Sequence, residues 1–208
     1  NPATGDQGER FARLLKSFST DPTDGRAFRT LEEHLFLAGS WRELAGVYEC
    51  RLGVLSGPSD ERTNLLGRLA NVLADRIGDT TAARARYEEL LRVQPQNPSA
   101  LSSLRRLLTR AGELTSALQL AELEEAQSLE ARPRARLLAE IGELWRGVGD
   151  AAEARRRFEA ALELDPGCAP ALAGVAAVND GPPEPEDAIG TLEGRLPTLA
   201  GAARADAL

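Results

Sequence analysis

Few side chains in this sequence could do acid–base or nucleophilic chemistry. The chain has one histidine, His34, which directly follows Glu32 and Glu33. Residues one and two positions apart on a helix do not face each other, so these neighbours do not predict an acid–base pair. A single histidine also excludes a metal site built from several histidines. We therefore expect His34 to lie on the surface or at the edge of a groove.

The two cysteines give no stronger signal. Cys50 and Cys168 lie far apart in the sequence, and neither has a candidate base beside it. This spacing is typical neither of a disulfide framework nor of a metal site, and a cysteine without an activating base is a poor nucleophile. We expect each to pack as a small buried hydrophobic residue. The sequence predicts no catalytic residue, no metal and no cofactor.

Charged residues form pairs and runs that ordinary helix surfaces explain. Acidic pairs such as Glu88-Glu89 sit among arginines, which predicts ion pairs one helical turn apart, for example between Glu88 and Arg92. The arginines at 155–157 and at alternate positions from 132 to 136 are the strongest local positive signal. We interpret them as solvated helix surface, with a docking point for an acidic partner as the alternative.

The composition indicates helices. The 208 residues include 34 Ala and 33 Leu but only 7 Val and 3 Ile. Alanine and leucine are strong helix formers, whereas sheets favour β-branched residues, so the expected fold class is all-α. The formal net charge of −7 argues against nucleic-acid binding. No stretch predicts a membrane span. We expect a cytoplasmic protein and leave the periplasm open, because the chain begins without Met.

An internal repeat organises the chain. Residues 65–101 match residues 137–172 with a shift of 71, and one additional residue precedes the first Gly-Asp. Two weaker copies surround Gly39 and Gly112. The match superposes Gly78-Asp79 on Gly149-Asp150, Tyr87 on Phe158 and Pro95 on Pro166.

Each copy has the pattern of two helices. Apolar residues recur at helical spacing, glycine ends the first helix, Ser40, Asp79 or Asp150 can cap the second, and proline stops it. Neither helix alone can bury its apolar stripe, so the pairs must stack into a solenoid. The predicted repeat domain covers 1–178, followed by a Pro-rich loop at 179–187 and a capping helix and tail at 188–208. Its predicted repeats lie near 25–58, 64–97, 98–131 and 135–168, with a half-repeat at 7–19.

The strongest copy resembles the tetratricopeptide repeat. The residues that carry the resemblance are Leu138, Ile141, Gly142, Trp145, Ala154, Phe158, Ala161 and Pro166. The copy around Tyr87 places Asn71 and Ala74 where the pattern has the small glycine and the aromatic residue. The resemblance implies a right-handed superhelix of antiparallel helix pairs, with about four repeats plus flanking helices.

The resemblance also implies where a partner would bind. In this family the first helix of each pair lines a concave groove that takes a peptide or protein segment. One subset holds carboxylates with asparagines that this chain lacks at the matching places, so we do not expect that clamp. Carried onto this chain, the groove face comprises Arg68, Val72, Asp75, Ser102, Arg106, Arg110, Glu140, Glu143 and Arg146.

The function predicted from these features is a non-enzymatic scaffold that binds another protein or peptide through the groove. The alternative is a regulatory or docking region of a larger signalling protein, such as a kinase or protease. A less favoured reading is an enzyme built on the solenoid around His34. Self-association stays open, because Ala121 stands where an aromatic residue is usual and leaves a gap that a second chain can fill.

Overall fold

The computed structural model describes residues 2–128 and 130–179. Ten α-helices and one π turn form this part of the chain. The predicted Pro-rich loop and capping helix lie outside the described residues, apart from Asn179, which ends the last helix. The helices are α1 (Pro2–Thr20), α2 (Gly25–Ala38), α3 (Trp41–Val54), α4 (Asp60–Val72), α5 (Thr80–Val93), α6 (Pro98–Arg110), α7 (Leu114–Glu125), α8 (Ala131–Val148), α9 (Ala151–Leu164) and α10 (Ala169–Asn179); the π turn spans Leu73–Ile77 between α4 and α5.

Helices that follow one another in sequence pack as pairs, because each buries one apolar stripe against its neighbour. We call α2 with α3 pair 1, α4 with α5 pair 2, α6 with α7 pair 3, and α8 with α9 pair 4. Helix α1 packs on α2, and α10 packs on α8 and α9. The buried side chains form two clusters, one that runs through pairs 1 to 3 and onto α8 of pair 4, and one between α8, α9 and α10; Trp145 contacts both.

The turn between the two helices of each pair contains the predicted glycine. Gly39, Gly78, Gly112 and Gly149 all have positive φ, between 68° and 97°, a conformation that costs glycine nothing and other residues a steric penalty. The carboxylates of Asp79 and Asp150 then accept bonds from backbone amides of the next helix, at 2.9 Å each. Ser40 differs from the expectation, because its side chain makes no capping bond.

Pair 4 is closed by one aromatic ring between two glycines. A Cβ added at Gly142 would lie 2.6 Å from Cε1 of Phe158, and one added at Gly174 of α10 would lie closer still. Phe158 itself is fully buried. Only glycine lets these helices approach the ring so closely, so these three residues hold α8, α9 and α10 together.

Pair 2 accommodates its additional residue in the π turn, where one turn of helix widens by one residue. This position of the insertion corrects the alignment made from sequence. Ala70, before the turn, and Leu73, its first residue, are both buried. With the additional residue placed in the turn, they are the counterparts of Gly142 and Trp145. Asn71 and Ala74 therefore do not take those places, and Asn71 is exposed.

Two further expectations about single residues need correction. Cys168 is buried as expected, with Sγ 3.9 Å from the carbonyl oxygen of Ala135, but Cys50 is exposed on α3. Ala121 is fully buried, so the gap inferred beside it is not open at the surface.

Candidate functional site

A cleft of about 630 Å³ lies between the first helices of pairs 2 and 3. Helix α4 and the π turn form one wall, and α6 forms the other. The structure brings five of the nine predicted groove residues together in this cleft. They are Arg68, Val72, Asp75, Ser102 and Arg106.

A sixth predicted residue, Arg110, lines a smaller and more enclosed cavity of about 230 Å³. Asp75 and Arg106 line both spaces, so this cavity adjoins the cleft. Tyr87 lies in its wall. The cleft therefore extends along α6 by one helical turn beyond Arg106.

The other three predicted residues do not line either space. Glu140, Glu143 and Arg146 are exposed on α8 of pair 4. Glu143 and Arg146 pair with each other at 2.7 Å, and Glu140 pairs with Arg105 at 2.6 Å. The predicted groove face thus divides into an open cleft at pairs 2 and 3 and, at pair 4, charged side chains that are held in ion pairs.

The structure adds aromatic and cationic residues that sequence reasoning missed. Phe36, at the end of α2, and Trp41, at the start of α3, line the cleft as an edge-to-face pair with centroids 5.3 Å apart. The guanidinium of Arg76 lies 4.9 Å from the centroid of the Trp41 ring. Arg76 belongs to the π turn, so the additional residue before Gly78 was the available signal that this helix end is unusual.

One side chain on the cleft wall is held in place by the second helix of its own pair. The hydroxyl of Tyr87 donates to Oδ1 of Asn71 at 2.6 Å. Within the described residues, the amide nitrogen of Asn71 has no hydrogen-bond partner, and it lines the cleft. Burial raises the pKa of the Tyr87 phenol, and hydrogen bonding to Ser103 offsets part of this rise.

Arg68 is tied to pair 1. It forms an ion pair with Glu32 of α2, and its guanidinium lies 5.4 Å from the ring centroid of Tyr48. Burial and a hydrogen bond to Glu32 raise the pKa of Tyr48. Glu32 therefore already compensates the charge of Arg68. The Arg68 side chain lines the cleft but does not add an unpaired cation to it.

A second ion pair of the same kind links pair 3 to pair 4. Counted back from the turn glycine, Arg105 takes the place that Gly142 has in pair 4, where a small residue was expected. It is 6% exposed, and its Nε lies 2.8 Å from Glu124. Burial would lower the pKa of Arg105, but the bonds to Glu124 and Glu140 raise it. The two carboxylate partners compensate this buried charge, and because Glu140 lies on α8 the ion pair connects pair 3 to pair 4.

The cleft nevertheless keeps unpaired positive charge. Among the described residues, neither Arg76 nor Arg106 has a carboxylate within ion-pairing distance, and both are exposed. Asp75 is the acidic residue that lines the cleft beside them. The chain as a whole carries −7, so the cleft is more positive than the average surface.

The remaining sequence candidates lie on ordinary helix surface. His34 is exposed and stacks on Phe11, with ring centroids 4.2 Å apart, and no described pocket joins it to a cysteine. Glu88 pairs with Arg84 rather than with the expected Arg92. Arg134, Arg156 and Arg157, from the arginine clusters, pair with Glu125 or Glu153. The part of the chain that the structure describes contains no cluster of metal-ligating side chains and no helix long and apolar enough to cross a membrane.

Comparison with known proteins identifies the architecture. Neither a protein-family model nor a curated protein matches the sequence. Among solved structures, a tetratricopeptide repeat protein from Parabacteroides merdae has a TM-score of 0.62 at 17% identity, over 82% of this chain and 59% of that one. The chain has the tetratricopeptide-repeat fold. It covers 59% of the Parabacteroides merdae protein, which is less than two thirds of that protein's length.

Two more tetratricopeptide-repeat structures agree with this fold. A segment of MamA from Desulfovibrio magneticus has a TM-score of 0.60 at 17% identity, over 86% of this chain and 95% of that one. YrrB, a protein with an unusual peptide-binding site, has a TM-score of 0.58 at 16% identity, over 83% and 84%. The predicted all-α fold, a right-handed superhelix of antiparallel helix pairs, is confirmed.

Proposed function

We propose that this chain is a non-enzymatic protein-interaction scaffold, and that the cleft between α4 and α6 binds an extended segment of a partner protein. The observation that carries the proposal is the exposed amide of Asn71, which Tyr87 orients at 2.6 Å while its nitrogen stays unpartnered among the described residues. An amide donor held in this way suits a backbone carbonyl of a peptide. Ser99, Ser102 and Ser103 on the opposite wall add neutral donors and acceptors.

Rigidity supports the same proposal. The cleft walls are helices that pack on a buried apolar core, and the ion pair of Arg68 with Glu32 adds a link between α4 and α2. A preformed surface loses little conformational entropy when it binds, so more of the contact energy appears as affinity. YrrB, which has a comparable fold, has a peptide-binding site, although its low identity gives no residue-level guide.

The groove face predicted from sequence is narrowed by this proposal. Arg68, Val72, Asp75, Ser102 and Arg106 are proposed to contact the partner, and Arg110 to contact it where it runs past the cleft. Glu140, Glu143 and Arg146 are proposed to take part only if the partner segment continues onto α8.

The test is a selection of peptides from a random display library on the full chain. Ser102→Trp puts a large side chain into the cleft, and Gln119→Trp puts the same side chain on the exposed surface of α7 as a control. We expect selected peptides to bind the wild type and Gln119→Trp equally, and Ser102→Trp at least about tenfold more weakly. Circular dichroism checks that both variants fold. Equal binding to Ser102→Trp would show that the peptides bind elsewhere.

A further inference from the structure

The cleft is lined by two arginines that can pair with an incoming carboxylate. Arg76 and Arg106 stand on opposite walls, one on the π turn and one on α6, and neither has a carboxylate partner among the described residues. Arg76 is also pre-positioned, because its guanidinium already lies over the face of Trp41 at 4.9 Å. A guanidinium fixed in this way loses little side-chain entropy when it forms a bidentate pair with a carboxylate.

Apolar surface lies directly beside these cations. Phe36 is 55% exposed, although it is a large aromatic residue, and its ring meets Trp41 edge to face. Val72 lines the same cleft. One face of Trp41 is taken by Arg76, so an incoming apolar side chain would pack against Phe36 and the remaining edge of the indole.

Equivalent positions on successive first helices show where the positive section ends. Counted from the turns, and allowing for the additional residue in pair 2, one set runs Arg68, Ser103, Glu140 and the next runs Asn71, Arg106, Glu143. Pairs 2 and 3 thus present arginine or neutral residues where pair 4 presents glutamates. At these two sets of positions, a partner segment that lies along the groove meets arginine on α4 and α6 and glutamate on α8.

We infer that the cleft selects an extended acidic peptide segment, in which aspartate or glutamate side chains flank one aromatic or branched aliphatic residue. The carboxylates pair with Arg76 and Arg106, and the apolar residue packs on Phe36. This inference rests on the proposed binding cleft and adds the chemistry of the partner. Asp75, on the same wall as Arg76, opposes a continuous run of acids and so favours acids that are separated by the apolar residue.

A single-stranded nucleic acid is the other anionic polymer that could approach these arginines. The cleft fits it less well, because such strands need a longer basic track than two unpaired arginines and several aromatic stacking platforms. The overall charge of −7 also repels a polyanion. Nucleic acid is therefore an outcome to be tested against the peptide.

The experiment uses a random octapeptide display library and the full chain, followed by affinity measurements on the most enriched peptides. We expect enriched peptides to combine acids with an aromatic or branched aliphatic residue. Arg76→Glu and Arg106→Glu should each weaken their binding at least about tenfold. Arg155→Glu changes the net charge equally and should leave binding within about twofold, because Arg155 is exposed on α9 and has no ion pair within the described part of the chain.

The possible failures are distinguishable. Enriched peptides that are basic or neutral, or whose affinity does not change in Arg76→Glu and Arg106→Glu, would overturn the inference that the peptide is acidic. If Ser102→Trp still blocked the binding of those peptides, the cleft itself would remain supported as the binding site. Equal weakening by Arg155→Glu would also overturn it, because the effect would then be general electrostatics. An oligothymidylate that binds more tightly than every selected peptide would replace the peptide with nucleic acid. The absence of any cleft-dependent peptide would overturn the proposed function itself.

Discussion

Pairs 2 and 4 come from the two most similar stretches of the sequence, yet their contacts differ. In pair 4 the ring of Phe158 fills the space between Gly142 and Gly174, and the groove-facing charges are paired. In pair 2 the equivalent aromatic residue, Tyr87, keeps a hydroxyl that reaches across to Asn71. The same repeat pattern thus gives tight packing in pair 4 and an open, polar cleft beside pair 2.

The difference traces to one inserted residue. Pair 4 has a regular helix up to Gly149, whereas pair 2 ends its first helix in a π turn before Gly78. The turn carries Asp75 and Arg76 into the cleft. An insertion that widens a helix costs hydrogen-bond geometry, and such turns are frequent at functional sites, which agrees with the proposed cleft.

The largest effect should come from removing the ring that closes pair 4. Phe158→Ala should lower the free energy of unfolding by about 3–5 kcal/mol, because a fully buried aromatic side chain is replaced by a cavity. Phe36→Ala, the control, removes an exposed ring and should cost less than about 0.5 kcal/mol. Urea denaturation measures both. Equal losses would contradict the division between a packing site and a binding site.

Glycine-to-alanine substitutions in the two pairs should have opposite signs. Gly142→Ala should destabilise the chain by about 1–3 kcal/mol, because the new methyl group would overlap Phe158. At Gly67 in pair 2 a Cβ would lie 3.6 Å from Leu90, which is an ordinary contact. Gly67→Ala should therefore stabilise by about 0.5–1 kcal/mol through helix propensity. Thermal unfolding followed by circular dichroism gives both shifts, and a stable Gly142→Ala variant would refute the tight packing of pair 4.

Deleting Ala74 should make pair 2 resemble pair 4. The deletion removes the additional residue, so the π turn should become regular helix and Arg76 should leave the face of Trp41. We expect peptide affinity to fall about tenfold, while the free energy of unfolding changes by less than about 1 kcal/mol. Inserting one alanine after Arg146 in pair 4 is the matched control and should leave peptide affinity unchanged. Undiminished binding by the deletion variant would mean that the π turn is not part of the site.

The smallest effect concerns the hydroxyl that distinguishes the two pairs. Tyr87→Phe should cost about 0.5–1.5 kcal/mol at neutral pH through the lost bond to Asn71. Because burial raises the pKa of Tyr87, folding favours the protonated phenol, and its contribution is complete below the pKa of the unfolded chain, about 10. That contribution is lost as pH rises through the higher folded value. Urea unfolding between pH 8 and pH 11 should show a shallower alkaline decline for Tyr87→Phe, and parallel curves would exclude a raised pKa.

Much of the fold could be predicted from the sequence, because its signals are local. Turn glycines, capping aspartates and helical spacing act within a few residues, and they identified the helix pairs. The exact place of the inserted residue could not be predicted, since a π turn and a longer helix have the same sequence pattern; this misplaced Asn71 and Ala74. Arg105 at a crossing position was missed for a related reason, because its two carboxylate partners come from α7 and α8.

The site was predictable only in outline. Five groove residues meet in the cleft because they follow the helical period of the repeat. Phe36, Trp41 and Arg76 join them through the junction of α2 with α3 and through the π turn, which no periodic rule describes. Whether a charged side chain forms an ion pair also depends on contacts between helix pairs. The sequence therefore could not predict that Glu140 forms an ion pair whereas Arg106 forms none within the described residues.

Backbone amide chemical-shift mapping with a selected acidic peptide tests most directly whether pair 2, and not pair 4, carries the binding surface. Titration of the isotope-labelled full chain should perturb the amides of Asn71, Val72, Asp75 and Ser102 and leave those of Glu140 and Glu143 within the scatter of unperturbed residues. The largest perturbations on α8 or α10, with the cleft amides unmoved, would contradict this account.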